Sequence, residues 1–185
     1  MLVALCGHAQ HGKDTVASAL PNFKRVAFAD PVKQIALALN PIITMDLNLS
    51  GVLESCGNSW DEAKKVPEVR RILQRIGTEC IREIIGDNIW IDLAVKKIKE
   101  IKGDVVVTDL RFPNEAAAIR KLGGYIWRVS RPNFDNGVDR GHPSEKLVAE
   151  IDFDYFINNN NTIEELRIKA LKALIRARLN DFYKI

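Results

Sequence analysis

"LVALCGHAQHGKDTVASAL", residues 2–20, decides the fold. Leu2 to Cys6 is a short unbroken apolar run, the composition of a strand buried on both faces. Lys13 to Leu20 reads as a helix that stops before Pro21. Between them four residues separate Gly7 from Gly12-Lys13, the spacing of a phosphate-cradling loop. Such glycines let the backbone turn tightly and bring N–H groups onto phosphate oxygens. The following helix adds its positive N-terminal end, and Lys13 can reach β- and γ-phosphates. The next position in this pattern is Ser or Thr, whose hydroxyl holds Mg²⁺. Here it is Asp14, and the hydroxyl arrives one residue late on Thr15. Asp14 can hold the ion through water, Thr15 can supply the hydroxyl, or Asp14 can simply favour the helix N-terminus by charge. His8 and His11 are three apart with no third ligand nearby, so they read as loop residues near a nucleotide rather than as a metal site.

Outward from this loop the chain alternates strands with helices. "KRVAFA" (Lys24–Ala29) is a second strand, and "DPVKQIALALN" a helix with Asp30 as N-cap and Pro31 at its first position. Residues 41–66 show turn residues and no strong period. A helix is expected over Pro67–Ile85, with Val69, Ile72, Leu73, Ile76, Cys80 and Ile84 at helical spacing, and another over Asn88–Ile101. "DVVVTDL" (Asp104–Leu110) is the clearest buried strand; "PNEAAAIRKLGG" is a helix, and "YIWRVS" (Tyr125–Ser130) a further strand. Residues 131–143 are loop chemistry, followed by a short helix from Ser144. "YFINN" (Tyr155–Asn159) is the last strand. Thr162 caps a final helix with the stripe Ile163, Leu166, Ala170, Leu171, Leu174. The pattern predicts an α/β fold: a five-stranded parallel sheet with helices on both faces and a helical inserted region between strands two and three. Ligands of such sheets bind beyond the carboxyl ends of the strands, so the loop, Asp109 and the segment after Arg131 should share one edge.

Composition sets the outer bounds. The 185 residues fit one domain, 1–185; 46% are apolar and 28% charged. Net charge is +3, from 27 basic against 24 acidic residues, too little and too scattered for a nucleic-acid footprint. Cys6, Cys56 and Cys80 lack metal-ligand spacing and read as reduced thiols. No apolar run approaches a membrane span, so a cytoplasmic protein is expected, with no nucleic-acid or membrane partner. "VVVTDLRFPNEA" puts Asp109 and Arg111 at the end of a buried strand. There a carboxylate can orient Mg²⁺ or a substrate group, and an arginine can supply charge to a transferring phosphoryl. A local turn with an Asp–Arg pair is the competing reading.

With both motifs in hand, the chain resembles the deoxynucleoside monophosphate kinases of tailed bacteriophages. The resemblance rests on "GHAQHGKDT", "FADPVK", "VRRILQRIGTE", "DNIWI", "VVVTDLRFPNEAAAIRKLGG", "RVSRP" and "HPSE", in order, with a gap at about 41–66. The Gly-Lys-Asp form of the loop is a trait of that family. The resemblance implies a P-loop kinase fold, ATP and Mg²⁺, a deoxynucleoside monophosphate as acceptor, and a homodimer in the host cytoplasm. It places the whole loop (Gly7, His8, Ala9, Gln10, His11, Gly12, Lys13, Asp14, Thr15) and Arg131 and Arg140 on ATP, with residues 131–143 as a lid. It places Lys33, Arg70, Arg71, Gln74, Gly77, Thr78, Trp90, Asp109, Arg111 and Glu115 on the acceptor, with residues 41–103 as a helical acceptor-binding insertion. Lys13, Asp109 and Arg111 would carry the transfer, and Asp14 and Thr15 would face Mg²⁺. His142 and Glu145 would latch the lid base. Core packing competes with base stacking for Trp90, and Trp127 reads as core. An animal phosphomevalonate kinase shares the Gly-Lys-Asp loop and is the alternative. A GTPase switch is disfavoured because "NNNN" (Asn158–Asn161) lacks a base-reading motif.

Overall fold

A computed structural model describes residues 1–132, 134 and 147–183. The chain falls into two compact units: Met1–Ala27 with Ala94–Ile185, and Phe28–Leu93.

The first unit is built on a five-stranded sheet in the order β2-β3-β1-β4-β5. The strands are β1 (Leu2–Cys6), β2 (Lys24–Val26), β3 (Val105–Leu110), β4 (Tyr125–Ser130) and β5 (Tyr155–Asn158). Every pairing is parallel. The central strand is the N-terminal one, which is why Val3, Ala4, Leu5 and Cys6 are all buried: both of its faces are covered. On one face Val3, Leu5, Val106, Trp127, Val129 and Ile157 pack against α1 (Lys13–Ser18) and α8 (Ile163–Phe182) through Val16, Leu166, Ala170 and Leu174. Alternate strand residues such as Ala4, Val107 and Ile126 point the other way, where Ala116 and Ile119 of α7 (Pro113–Lys121) are buried. A 3₁₀ turn, Leu147–Glu150, precedes β5.

The second unit is helical: α2 (Asp30–Leu39), α3 (Leu49–Ser55), α4 (Trp60–Ala63), α5 (Pro67–Gln74) and a π-helical turn, Arg75–Cys80. α6 (Ile89–Glu100) starts in this unit and ends in the first. Val32, Ala36, Leu49, Val52, Leu53, Val69, Ile76 and Trp90 form the core of the second unit.

Four expectations need correction. Residues 41–66 are not irregular. Asn48 accepts from the Gly51 N–H to cap α3, and Ser59 accepts from the Glu62 N–H to cap α4. Leu49, Val52 and Leu53 supply the buried i, i+3, i+4 face. The helix from Pro67 does not stay α-helical. Ile81 N–H donates to Ile76 C=O at 3.2 Å and Glu83 N–H to Thr78 C=O at 3.1 Å, both five residues back. β2 pairs with β3 over Lys24–Val26 only and stops there, and α2 begins at Asp30 with Ala29, not Asp30, as its cap. In α8, Ile163 and Leu171 are exposed, while Ala173 and Ala177 join Leu166, Ala170 and Leu174 in the core.

Candidate active site

Gly7 leaves β1 at φ +139°, and a Cβ there would sit 2.1 Å from the carbonyl oxygen of Val129 on β4. Only glycine lets the loop turn this close to the neighbouring strand. Gly12 closes the loop at φ +98° as the N-cap of α1, and no side chain caps that helix. Its absent Cβ would meet Asn159 Nδ2 at 2.7 Å and Leu166 Cδ2 at 2.9 Å. Gln10 takes φ +61° at the loop's turn.

Lys13 is only 8% exposed. Its Nζ donates to the carbonyls of Gly7 and His8, each at 2.7 Å. A buried ammonium is costly unless its hydrogens are taken up, and these carbonyls hold it against the loop. Asp14 is exposed and Thr15 half-buried in the first turn of α1. Their carboxylate and hydroxyl are hard oxygen donors. They suit Mg²⁺, which takes one or two protein oxygens and fills the rest with water and phosphate. Among the described residues no cluster of three His, Cys, Asp or Glu could hold a metal by itself.

The loop is braced from two strands away. Asn159 Nδ2 donates to the His11 carbonyl at 3.1 Å. His11 is buried, and its Nδ1 accepts from the Arg131 N–H at 3.2 Å. The His8 and His11 rings meet edge to face at 5.2 Å. The histidines are therefore part of the loop's scaffold. The Arg131 guanidinium lies 4.1 Å over the Phe134 ring. Arg128 is turned away from the edge and ties the carbonyls of Val148 and Ile151 at 2.7 and 2.6 Å. Burial pushes the thiol of Cys6 up, against the hydrogen bond and charge of Arg128 and the charge of Lys13.

β3 lies beside β1, with Leu110 opposite Cys6. Asp109 and Arg111 therefore emerge at the edge where the loop begins, both half-buried. Glu115 is 1% exposed. Its Oε2 accepts from the N–H of Arg111 at 2.9 Å and of Phe112 at 3.1 Å. By accepting from the N–H of the N-cap residue Phe112 it anchors the first turn of α7 and fixes the turn that carries Arg111. The resemblance places Glu115 on the acceptor; in the structure its carboxylate holds the backbone N–H groups of Arg111 and Phe112.

In the second unit, Lys33 lies 4.0 Å from Asp30 and 5.7 Å above the Trp60 ring. Arg70 is exposed. Arg71 is held by Glu68 through Nε at 2.8 Å and Nη2 at 2.5 Å, which lowers the Glu68 carboxyl below its usual range. Gln74 is exposed on the last turn of α5, and Gly77 and Thr78 are half-buried in the π-helical turn. Segments of this kind recur at functional sites. Trp90 is 2% exposed, and its indole N–H donates to the Gly77 carbonyl at 2.8 Å. Core packing thus accounts for Trp90, which fixes the Gly77 peptide from behind. Lid residues 133 and 135–143, with Arg140 and His142, and Ser144 and Glu145, lie outside the described residues.

Asn159 was missed by the sequence reading. Its signal was present: an Asn run at the carboxyl end of the last strand, on the edge where ligands bind.

The family model for deoxynucleotide monophosphate kinases matches residues 49–170, more than half of the chain. The chain belongs to the deoxynucleotide monophosphate kinase family. A candidate deoxynucleotide monophosphate kinase of Acanthamoeba polyphaga mimivirus is 32% identical, over 96% of this chain and 97% of its own. The deoxynucleoside-5'-monophosphate kinase of Escherichia phage T5 is 40% identical over 55% of this chain and 43% of its own. Among solved structures, shikimate kinase from Aquifex aeolicus is similar over 97% of this chain and 99% of its own, at 18% identity and a TM-score of 0.49. As a member of this family the chain is a phosphotransferase of α/β kinase fold. No helix among the described residues is long and apolar enough to cross a membrane.

Proposed function

We propose that this chain transfers the γ-phosphoryl group of ATP to the phosphate of a deoxynucleoside monophosphate, giving the diphosphate. One observation carries the reading. The Gly7–Lys13 loop holds a buried ammonium at the edge where Asp109 and Arg111 emerge, in a chain of this family. Lys13 leaves its two carbonyls to meet the β- and γ-phosphates, and the loop amides take the remaining oxygens. Arg111, positioned by Glu115, supplies charge to the transferring group, and Asp109 orients the incoming oxygen or the ion's water. Mg²⁺, held by Thr15 or Asp14, neutralises the phosphates when bound. The acceptor phosphate is already anionic, so direct in-line attack needs neither a covalent intermediate nor a strong general base. On the acceptor side Lys33, Arg70 and Arg71 serve the phosphate, while Gln74, Gly77 and Thr78 serve the base. Arg131 covers the donor.

Family membership favours a nucleotide acceptor over a phosphomevalonate-type one. A homodimer in the cytoplasm, without nucleic-acid or membrane partner, completes the proposal. The test is ADP release with Mg·ATP and each deoxynucleoside monophosphate in turn. Turnover with at least one supports the reading, and none with any of the four defeats it.

A further inference from the structure

Trp60 lies in the stretch 41–66, where the family resemblance has its gap, so no motif speaks for it. The second unit nevertheless builds a place for it. After α3, Gly57 at φ +62° and Asn58 at φ +59° reverse the chain. The Asn58 N–H donates to the Leu53 carbonyl at 2.8 Å and closes that turn. Ser59 then caps α4, and Ala63, fully buried, anchors the helix on the unit's core. The result is a half-buried indole at the first position of α4, packed against the edge of that core.

α2 brings Lys33 to this ring. Val32 and Ala36 are buried and hold α2 in the same core. The Lys33 side chain is only 19% exposed, low for a lysine. Its Nζ lies 5.7 Å from the centre of the Trp60 ring and 4.0 Å from Asp30. The carboxylate stands at the outer limit of an ion pair, a weak hold. The ring stands within the reach of about 6 Å at which an aromatic face attracts a cation. The residue beside Lys33, Val32, has both γ-carbons 3.6 Å from where a Cβ on Gly77 would lie. α2 therefore carries Lys33 against the π-helical turn of Gly77 and Thr78.

Ways of holding a cation differ in what they leave for a ligand. Arg71 is tied through two nitrogens to Glu68, and that bond competes with any phosphate. An indole face attracts an ammonium through its quadrupole and brings no formal charge. It restrains a long, flexible stem and leaves the positive charge for an incoming anion. We infer that Trp60 is a positioning residue of the acceptor site: its ring holds the Lys33 ammonium in place for the acceptor's phosphate. The inference rests on the kinase reading proposed above, which gives Lys33 that phosphate.

The experiment is a double-mutant cycle on the full chain, with steady-state kinetics for each substrate and a thermal melt of every variant. Trp60→Leu keeps an apolar side chain and removes the aromatic face. It is expected to raise KM for the deoxynucleotide by roughly 2- to 30-fold, the span of cation–π contacts. The kcat and the KM for ATP are expected to stay unchanged. Trp60→Phe keeps a smaller aromatic face and is expected to recover part of the loss. In a Lys33→Met background, read as kcat/KM for the deoxynucleotide, Trp60→Leu is expected to cause no further loss, because no cation is left to hold. If Trp60→Leu does not fold, Trp60→Phe decides in its place, and its loss must likewise vanish in the Lys33→Met background. A wild-type KM in Trp60→Leu, an equal loss in both backgrounds, or a KM for ATP that rises alongside overturns the inference and leaves the kinase reading standing. A wild type that turns over no deoxynucleotide defeats the kinase reading itself, and this inference with it.

Discussion

Replacing Gly77 by alanine separates packing from recognition. A Cβ at Gly77 would lie 3.6 Å from both γ-carbons of Val32, ordinary van der Waals contact. Gly77 takes no positive φ that would require glycine, and a glycine within a helix costs roughly 0.5–1 kcal/mol relative to alanine. On fold grounds Gly77→Ala therefore gains about that much, and Tm rises by roughly 1–4 °C for a chain of this size. Recognition moves the other way. If the acceptor's ring lies against the Gly77 backbone, the added methyl overfills that contact at a cost of about 1–3 kcal/mol. Each 1.4 kcal/mol is tenfold, so KM for the deoxynucleotide should rise by roughly 5- to 140-fold while KM for ATP stays put. Thermal unfolding and steady-state kinetics with each substrate varied read both effects. A raised Tm with an unchanged acceptor KM would remove Gly77 from the acceptor site. A lowered Tm would refute the packing argument.

At Gly7 the sign reverses. Alanine must adopt a backbone conformation costing about 1–3 kcal/mol and clashes with the Val129 carbonyl, so Gly7→Ala should lose at least about 6 °C in Tm; a smaller loss in calorimetry contradicts the close approach. Asn159→Ala removes the bond to the His11 carbonyl, worth about 0.5–1.5 kcal/mol. It should weaken ATP binding, read by titration calorimetry, without changing the acceptor KM. The Tyr125 hydroxyl donates to Asp181, and that bond, with burial and nearby carboxylates, pushes it up to about 12. The folded pKa exceeds the unfolded value of about 10. The resulting stability is therefore whole below pH 10 and is lost as pH rises toward 12. Denaturant melts of wild type and Tyr125→Phe should differ by a constant amount below pH 10 and converge above it.

Most of the sheet was legible because its strands are buried on both faces. "LVALC" and "VVV" (residues 105–107) are unbroken apolar runs that a half-exposed strand would not show. The loop was legible because glycine is forced at Gly7 and Gly12 by contacts the spacing encodes. The helices at 49–55 and 60–63 were obscured by their shortness, although Asn48 and Ser59 are ordinary caps. The π-helical turn was hidden for a different reason: a 3.6-residue period imposed on residues 67–85 leaves no place for bonds five residues back. Glu115 and Trp90 show what a matched motif leaves unsaid. A residue inside a matched motif can serve it by holding a neighbour, and only burial and hydrogen-bond partners distinguish that role from contact with substrate.

The central claim is that Lys13 at this loop drives phosphoryl transfer to a deoxynucleoside monophosphate. Its most direct measurement is coupled ADP release with dAMP, dCMP, dGMP, dTMP and mevalonate phosphate, on wild type and Lys13→Ala. The account predicts turnover with at least one deoxynucleotide and none with mevalonate phosphate. It also predicts a loss of about 100-fold or more in kcat in the variant, the scale seen when a charge-stabilising group is removed. Turnover restricted to mevalonate phosphate, or turnover that survives Lys13→Ala nearly intact, would contradict it.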